Sequence, residues 1–183
     1  MKYGAIKYCD IANGVGVRTS LFVSGCTHHC PGCFQPETWS FDYGEEFTCE
    51  VADQVVESLA PEYVSGLAVL GGEPMEPENQ RALAPLLRRV KEAYPQKSIW
   101  LYTGDTFEEL LDEQSPRHTE ATDSLLACID VVVDGRFEEE RKDITLRFRG
   151  SSNQRLLDMP ASLAAGRAVP WQDEKVYSTH KMD

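Results

Sequence analysis

The sequence predicts an α/β protein whose parallel sheet is covered by helices, and three observations support this fold class. Four short apolar segments alternate with segments that carry apolar residues at helical spacing. Strands that are apolar throughout are typical of parallel sheets buried on both faces. Each apolar segment also ends in a polar turn that contains glycine. The predicted strands are residues 20–23, 66–70, 98–102 and 129–133.

The segments between these strands have the apolar spacing of amphipathic helices. In the first of them, Val51, Val55, Val56 and Leu59 fall on one helical face. Thr106 and Glu109 have the spacing of a capping box, which marks a helix start. Alternating apolar and polar residues at 144–148 predict a fifth, more exposed strand. The predicted helices are residues 48–59, 77–93, 107–113 and 123–127.

The length of 183 residues predicts one main domain. We assign it to residues 1–159, because the chain becomes polar and rich in small residues after that point. Residues 160–183 form a polar C-terminal extension, and two interpretations stay open for it. It is either an ordered addition to the fold or a disordered tail.

Composition and charge exclude several classes of function. With 18 basic and 30 acidic residues, the net charge of -12 repels phosphate backbones and argues against nucleic-acid binding. No apolar run approaches the roughly 18–20 residues that span a bilayer, and no Ser-His-Asp or phosphate-loop pattern is present. Residues 19–80 contain no Lys or Arg, which indicates either a solvated acidic surface or a docking surface for a basic partner.

The N-terminus lacks a signal-peptide pattern, so we expect a cytoplasmic protein whose six cysteines are thiols or metal ligands. Cys26, Cys30 and Cys33 have a C-x3-C-x2-C spacing directly after the first predicted strand. Three thiolates on one loop suit a soft metal centre. Zinc, with His28 or His29 as a fourth ligand, and an iron–sulfur cluster with one open iron both remain compatible with this spacing. Outside the zinc alternative, we expect His28 and His29 to lie on the surface of the loop. The other three cysteines, Cys9, Cys49 and Cys128, have no partner spacing.

Because ligands bind at the carboxyl ends of parallel strands, the four glycine-containing turns should face one common pocket. The turn after the second predicted strand reads Gly71-Gly72-Glu73-Pro74. Together with a C-x3-C-x2-C loop that is followed by Phe34, this turn resembles the motifs of the radical S-adenosylmethionine (SAM) enzymes. The resemblance implies a shortened, open partial (β/α) barrel of the radical SAM type.

The resemblance also implies cofactors and their contacts. Cys26, Cys30 and Cys33 would hold a 4Fe-4S cluster, and the amino and carboxylate groups of SAM would chelate its fourth iron. Asp134, after the fourth strand, would reach the SAM ribose or a nearby cation, although an Asp before a glycine also suits a simple turn. The SAM contacts implied in this way are Gly32, Cys33, Phe34, Gly72, Glu73 and Asp134.

Further motifs narrow the resemblance to the glycyl-radical activating family. Residues 10–18 match D-x2-N-G-x-G-x-R, and the CTHHCPGCF, WLYTG, VVVDGRF and RGSSNQR segments resemble the branch that serves the anaerobic ribonucleoside-triphosphate reductase. The family reaction is the reductive cleavage of SAM and the formation of a glycyl radical on the partner. The implied partners are the large subunit of that reductase and a one-electron donor such as flavodoxin. The residues placed at the partner's glycine loop are Asn13, Gly14, Gly16 and Arg18.

Other interpretations remain at this stage. Asn13 and the two glycines could form only a tight turn, and Arg18 could form only a salt bridge. The chain could activate a different glycyl-radical enzyme or act on a small molecule by radical SAM chemistry. The alternative that is not an enzyme is a zinc-binding interaction module.

Overall fold

The computed structural model describes residues 1–172 and contains one seven-stranded mixed sheet with helices packed against it. The strand order is β3-β1-β2-β4-β5-β6-β7, and within residues 1–172 the sheet does not close on itself. The strands are β1 (Lys2–Asp10), β2 (Val17–Val23), β3 (Glu45–Glu46), β4 (Val64–Gly71), β5 (Ser98–Tyr102), β6 (Val131–Asp134) and β7 (Arg155–Asp158).

The helices follow the sequence signals closely. The Thr48 side chain caps the first helix, and both hydrogen bonds of the predicted capping box between Thr106 and Glu109 are present. Asp158 caps the last helix, which ends at Gly166 in the left-handed conformation that glycine favours. The helices are α1 (Cys49–Glu57), α2 (Pro77–Ala93), α3 (Phe107–Leu110), α4 (Thr122–Leu126) and α5 (Met159–Ala165).

The centre of the sheet confirms the predicted parallel arrangement. Strands β2, β4, β5 and β6 run parallel, and they correspond to the four predicted apolar strands. Strands β1, β3 and β7 add antiparallel pairs at the two sides, so the sheet is mixed. The sequence patterns did not reveal β1, because its residues are half-buried or exposed and form no apolar run.

The two faces of the sheet pack differently. One face carries the larger core, in which residues such as Leu21, Leu67 and Leu101 pack against α1, α2 and α4. The other face carries a small cluster around Trp100, which Phe148 and Trp171 cover by edge-on ring contacts at 5.1 Å. This second face leads into the pocket described below. Within residues 1–172, none of the helices combines the length and apolar character that a bilayer crossing requires.

The structure differs from the sequence predictions at the C-terminal side. Residues 144–148 form turns rather than a strand, and Ile144 is 90% exposed there, so the predicted fifth strand is wrong. Residues 160–172 belong to the fold, because Pro170 bridges to Leu157 and the Trp171 amide donates to the Leu156 carbonyl. The remainder of the proposed extension, residues 173–183, lies outside the described residues.

Candidate functional site

A pocket of about 600 Å³ lies at the carboxyl ends of the parallel strands. The turns after all four parallel strands contribute to its walls, which confirms that they face one pocket. This volume is within the range of roughly 300–1,000 Å³ that is usual for cofactor and ligand sites. The residues that these turns contribute include Cys26, Gly71, Gly72, Thr103, Gly104 and Gly135.

The cysteine loop follows β2, and Cys26, Cys30 and Cys33 all line this pocket as free thiols. Cys26 is buried and its amide donates to the Trp39 carbonyl, which anchors the start of the loop. The loop then turns tightly at Gly32, whose φ is +70°. This φ lies in the left-handed region, which favours glycine at the turn. Gly32 itself does not line the pocket.

Backbone amides are directed at the cysteine sulfurs. The amides of His28 and His29 lie against Cys26, and the Phe137 amide lies against Cys30. The Gln35 amide is 3.5 Å from the Cys33 sulfur. Amide donors of this kind stabilise thiolates and sulfur ligands.

Burial raises the pKa of the Cys26 thiol to about 11, and it also raises the pKa of Cys30. These sulfurs therefore need a bound cation to become thiolates at neutral pH. Soft donors on one loop, with amide hydrogens aimed at them and an open pocket beside them, fit an iron–sulfur cluster.

His28 is buried, which corrects the expectation that both loop histidines lie on the surface. Its side chain is 4% exposed, whereas His29 is exposed and packs against Trp39. The His28 Nδ1 atom accepts from Arg136, and its Nε2 atom lies 2.9 Å from Glu73 Oε2. Because both ring nitrogens face other partners, His28 is not placed as the fourth ligand of a zinc site.

His28, Glu73 and Asp105 form the compact group of possible ligand atoms among the described residues. The Arg117 guanidinium already pairs with Asp105 at 2.6 Å and lies 3.4 Å from Glu76. His28, Glu73 and Asp105 therefore belong to a buried ion-pair cluster in which Arg117 supplies the positive charge.

Glu73 holds two strand ends together. Its buried carboxylate accepts from the amides of Met75 at 2.8 Å and Gly104 at 2.7 Å. Burial alone would raise its pKa, but the close His28 side chain and the hydrogen bonds from these amides outweigh burial and lower the pKa below the usual range. The Glu73 carboxylate is thus committed to the turns after β4 and β5. Its amide also donates to the Gly25 carbonyl, which joins the same turn to the start of the cysteine loop.

Asp134 is fully buried and does not line the pocket. One carboxylate oxygen accepts from the Phe107 amide at 2.7 Å, and both oxygens accept from Arg155. All of these contacts lie within the fold, so the geometry favours a structural role for Asp134 over a contact with SAM. Its neighbour Gly135 reaches the pocket instead.

The four residues expected near a partner loop do not form one group. Asn13 lines the pocket and donates to Asp10 at 2.6 Å. Gly14 and Gly16 have positive φ angles of 126° and 79° and pack against neighbouring side chains. Arg18 is fully buried and donates to the carbonyls of Val15, Leu67 and Ser98. This burial favours a structural role for Arg18 over a contact with a partner.

An aromatic rim lies at the pocket mouth. Phe34, as expected, lines the pocket, and it is 63% exposed. Its ring centroid is 5.0 Å from that of Phe137, which follows β6. The Lys142 ammonium lies 5.1 Å from the Phe34 ring centroid and covers one ring face.

Sequence patterns did not single out two further pocket residues. The Gln154 side chain joins two loops, because it accepts from the Gly150 amide at 2.8 Å and donates to the Gly135 carbonyl at 3.0 Å. Gln154 lies in the RGSSNQR segment, which supports the family resemblance but does not indicate what this residue contacts. Tyr102 lines the pocket, and its buried hydroxyl has no hydrogen-bond partner among residues 1–172. Tyr102 belongs to the WLYTG segment, which supports the family resemblance but assigns this residue no role.

Comparisons with known proteins agree with this site. A family model described as a 4Fe-4S single cluster domain matches residues 12–157. The anaerobic ribonucleoside-triphosphate reductase-activating protein of Vibrio cholerae is 43% identical over 156 residues, which cover 84% of this chain and 96% of the relative. The proteins of the same name from Escherichia coli K12 and enterobacteria phage T4 are 38% and 37% identical over 84% and 85% of this chain, and over 96% and 93% of their own lengths. The chain belongs to the anaerobic ribonucleoside-triphosphate reductase-activating proteins, a family with a 4Fe-4S single cluster domain.

Proposed function

We propose that this chain is a radical SAM activating enzyme that generates a glycyl radical on anaerobic ribonucleoside-triphosphate reductase. One observation carries the proposal: Cys26, Cys30 and Cys33 open onto the same pocket as the turns after β4, β5 and β6. The names of the relatives supply the partner. The open mixed sheet supports its description as a partial barrel of the radical SAM type.

The three cysteines would hold the cluster, and their surroundings suit that role. The amides aimed at Cys26, Cys30 and Cys33 offset the negative charge of the sulfurs. When bound, the 4Fe-4S cluster would supply the one electron needed for the reductive cleavage of SAM, the chemistry that underlies glycyl-radical formation on the partner. The chain itself contributes the binding, the orientation and the exclusion of water.

The remaining pocket walls suit SAM. The turn at Gly72 and Glu73 lies beside the start of the cysteine loop and lines the pocket, and its backbone is the part left to contact the methionyl end. Phe34 supplies an exposed ring at the mouth for the adenine side. Gly135, where a Cβ atom would have no neighbour closer than 3.8 Å, lets the backbone approach a ligand closely. Asp134 is left out of this set because its carboxylate is fully engaged elsewhere.

The substrate would be a loop of another protein, and the site allows for it. Asn13 lies at the pocket and is the partner-facing residue that the geometry retains from the segment before β2. An exposed aromatic rim at Phe34 offers apolar contact area to an incoming chain. A cytoplasmic electron donor such as flavodoxin would reduce the cluster.

The test is anaerobic reconstitution of the full chain with iron and sulfide. The reduced protein should show a cluster electron paramagnetic resonance (EPR) signal and should convert SAM to methionine and 5′-deoxyadenosine. With the reductase added, a glycyl-radical doublet should appear. Alanine at Cys26, Cys30 or Cys33 should abolish all three results, whereas Cys49→Ala, at an exposed cysteine outside the pocket, should abolish none of them.

Other outcomes would identify a different function. A colourless protein with one zinc per chain would refute the radical proposal and favour an interaction module. SAM cleavage without a radical on this reductase would retain the chemistry and point to another glycyl-radical enzyme or to a small-molecule substrate.

A further inference from the structure

His28 lies between two of the cysteines of the loop and contacts the turns after three neighbouring strands. Its Nε2 atom lies 2.9 Å from Glu73 after β4 and 3.5 Å from Asp105 after β5. Its Nδ1 atom accepts from the Nε atom of Arg136, after β6, at 3.1 Å. These contacts join the cysteine loop to the turns that form the opposite pocket walls.

The two ring nitrogens have different roles. Because Arg136 donates to Nδ1, Nε2 is the ring nitrogen left to face the Glu73 carboxylate, which lies 2.9 Å away in an orientation that does not meet hydrogen-bond geometry. Arg117 pairs with Asp105, so the second carboxylate beside the imidazole has its own cation. The orientation of the ring is therefore set from both sides.

The His28 imidazole is tightly packed against Gly104. A Cβ atom on Gly104 would lie 2.5 Å from His28 Cδ2, so the ring occupies the space that any other residue at 104 would fill. The Gly104 amide donates to the same Glu73 carboxylate that faces the ring. Displacement of the imidazole would therefore disturb the turns that carry Glu73 and Gly104 together.

We propose that His28 is a positioning residue that fixes the geometry of the cysteine loop relative to the SAM side of the pocket. The proposal rests on the proposed function, because it concerns the same pocket. His28 is placed to act through Glu73 and Gly104 and does not act as a metal ligand. Its loss should weaken SAM binding and change how the reduced cluster responds to SAM, even in protein that retains its iron.

Two substitutions separate the two sides of the ring. Gln at position 28 can place an amide N–H near the Nε2 position and keep the donor to Glu73, whereas Asn reaches only the Nδ1 position. We expect His28→Gln to bind SAM within about threefold of the parent. We expect His28→Asn to bind about tenfold more weakly, because Asn loses the close contact between the Nε2 position and the buried Glu73 carboxylate.

The measurements are the iron content, the SAM dissociation constant by equilibrium dialysis, and the EPR g-values of the reduced cluster with and without SAM. His118→Gln is the matched control, because this histidine does not line the pocket and lies 3.8 Å from the exposed Asp123. It should match the parent in all three. Parent-like results for both position-28 variants, or equal losses in both, would overturn the proposal, since equal losses mean that the ring only fills space.

A second variant covers the case in which substitutions at position 28 prevent folding. The Arg136 side chain is 54% exposed, so Arg136→Met should fold and yet remove the hydrogen bond to His28 Nδ1. It should weaken SAM binding by about threefold, and unchanged binding would overturn the proposal. If the parent itself bound no SAM, both the proposed function and this inference would fail. If the parent bound SAM and the variants gave the contrary results, only the role of His28 would be refuted.

Discussion

Asp134→Asn is the substitution that best separates a structural role from a role in SAM binding. The change keeps the shape of the side chain but removes its charge. If the carboxylate serves the fold, as its contacts with Arg155 and Phe107 indicate, the variant should be less stable and should still bind SAM. A carboxylate that contacts SAM would give the opposite pattern.

The expected magnitude follows from the contacts. The Asn oxygen can keep the Phe107 amide and one Arg155 nitrogen, but its amide nitrogen would then face the Arg155 Nε atom, now 3.0 Å from an oxygen. Breaking one side of a buried ion pair costs about 3–5 kcal/mol, and the partial exposure of Arg155 argues for the lower end, about 3 kcal/mol. In a chain of this size that corresponds to roughly 6–12 °C in melting temperature.

The assay is thermal unfolding of the protein, followed by SAM binding to the folded fraction. Glu108→Gln is the matched control, because it removes the second, 61% exposed carboxylate from the same arginine and should cost less than about 1 kcal/mol. SAM affinity should change less than threefold in both variants. An Asp134→Asn protein that melts like the parent but binds SAM tenfold more weakly would refute the structural role.

Three further predictions concern other parts of the pocket and its support. Gly16→Ala should lower the unfolding free energy by about 2–4 kcal/mol, because its φ is +79° and its methyl group would lie 2.0 Å from Ser65 Oγ, whereas Gly166→Ala, which adds only the strain of a φ of +61° in open space, should cost about 1 kcal/mol in the same urea titration. Arg18→Met should cost about 2–4 kcal/mol in that titration and leave the affinity for the reductase unchanged, because the guanidinium is buried; weaker reductase binding by a stable variant would contradict its position. The pKa of Glu73 is lowered in the folded state, so its stabilising contribution is present above the usual pKa of about 4.3 and is lost as the pH falls through the folded value; Glu73→Gln should flatten the melting-temperature profile between about pH 3 and 5, and a parallel profile would contradict this.

The parts of this molecule that could be predicted from sequence are those with a local pattern. Buried parallel strands are continuous apolar runs, so β2, β4, β5 and β6 could be recognised, and the cysteine spacing is confined to one loop. The rule that ligands bind at the carboxyl ends of such strands then placed the pocket. The edge strands escaped recognition because a half-exposed antiparallel strand such as β1 has no continuous apolar run.

The roles of charged residues could not be predicted, because they depend on partners far away in the chain. Arg18 is buried against Ser98, 80 positions later, and His28 accepts from Arg136, 108 positions later. A local motif shows that such a residue is present but does not show which way its side chain points. Arg18 and Asp134 lie in segments that resemble the family motifs, yet their charged groups are buried and bonded within the fold. The His28 side chain, which is expected on the surface, instead contacts the turns that form the pocket walls. A motif match in this chain therefore locates the functional edge of the sheet, and only the contacts separate the residues that meet a ligand from those that hold the edge in place.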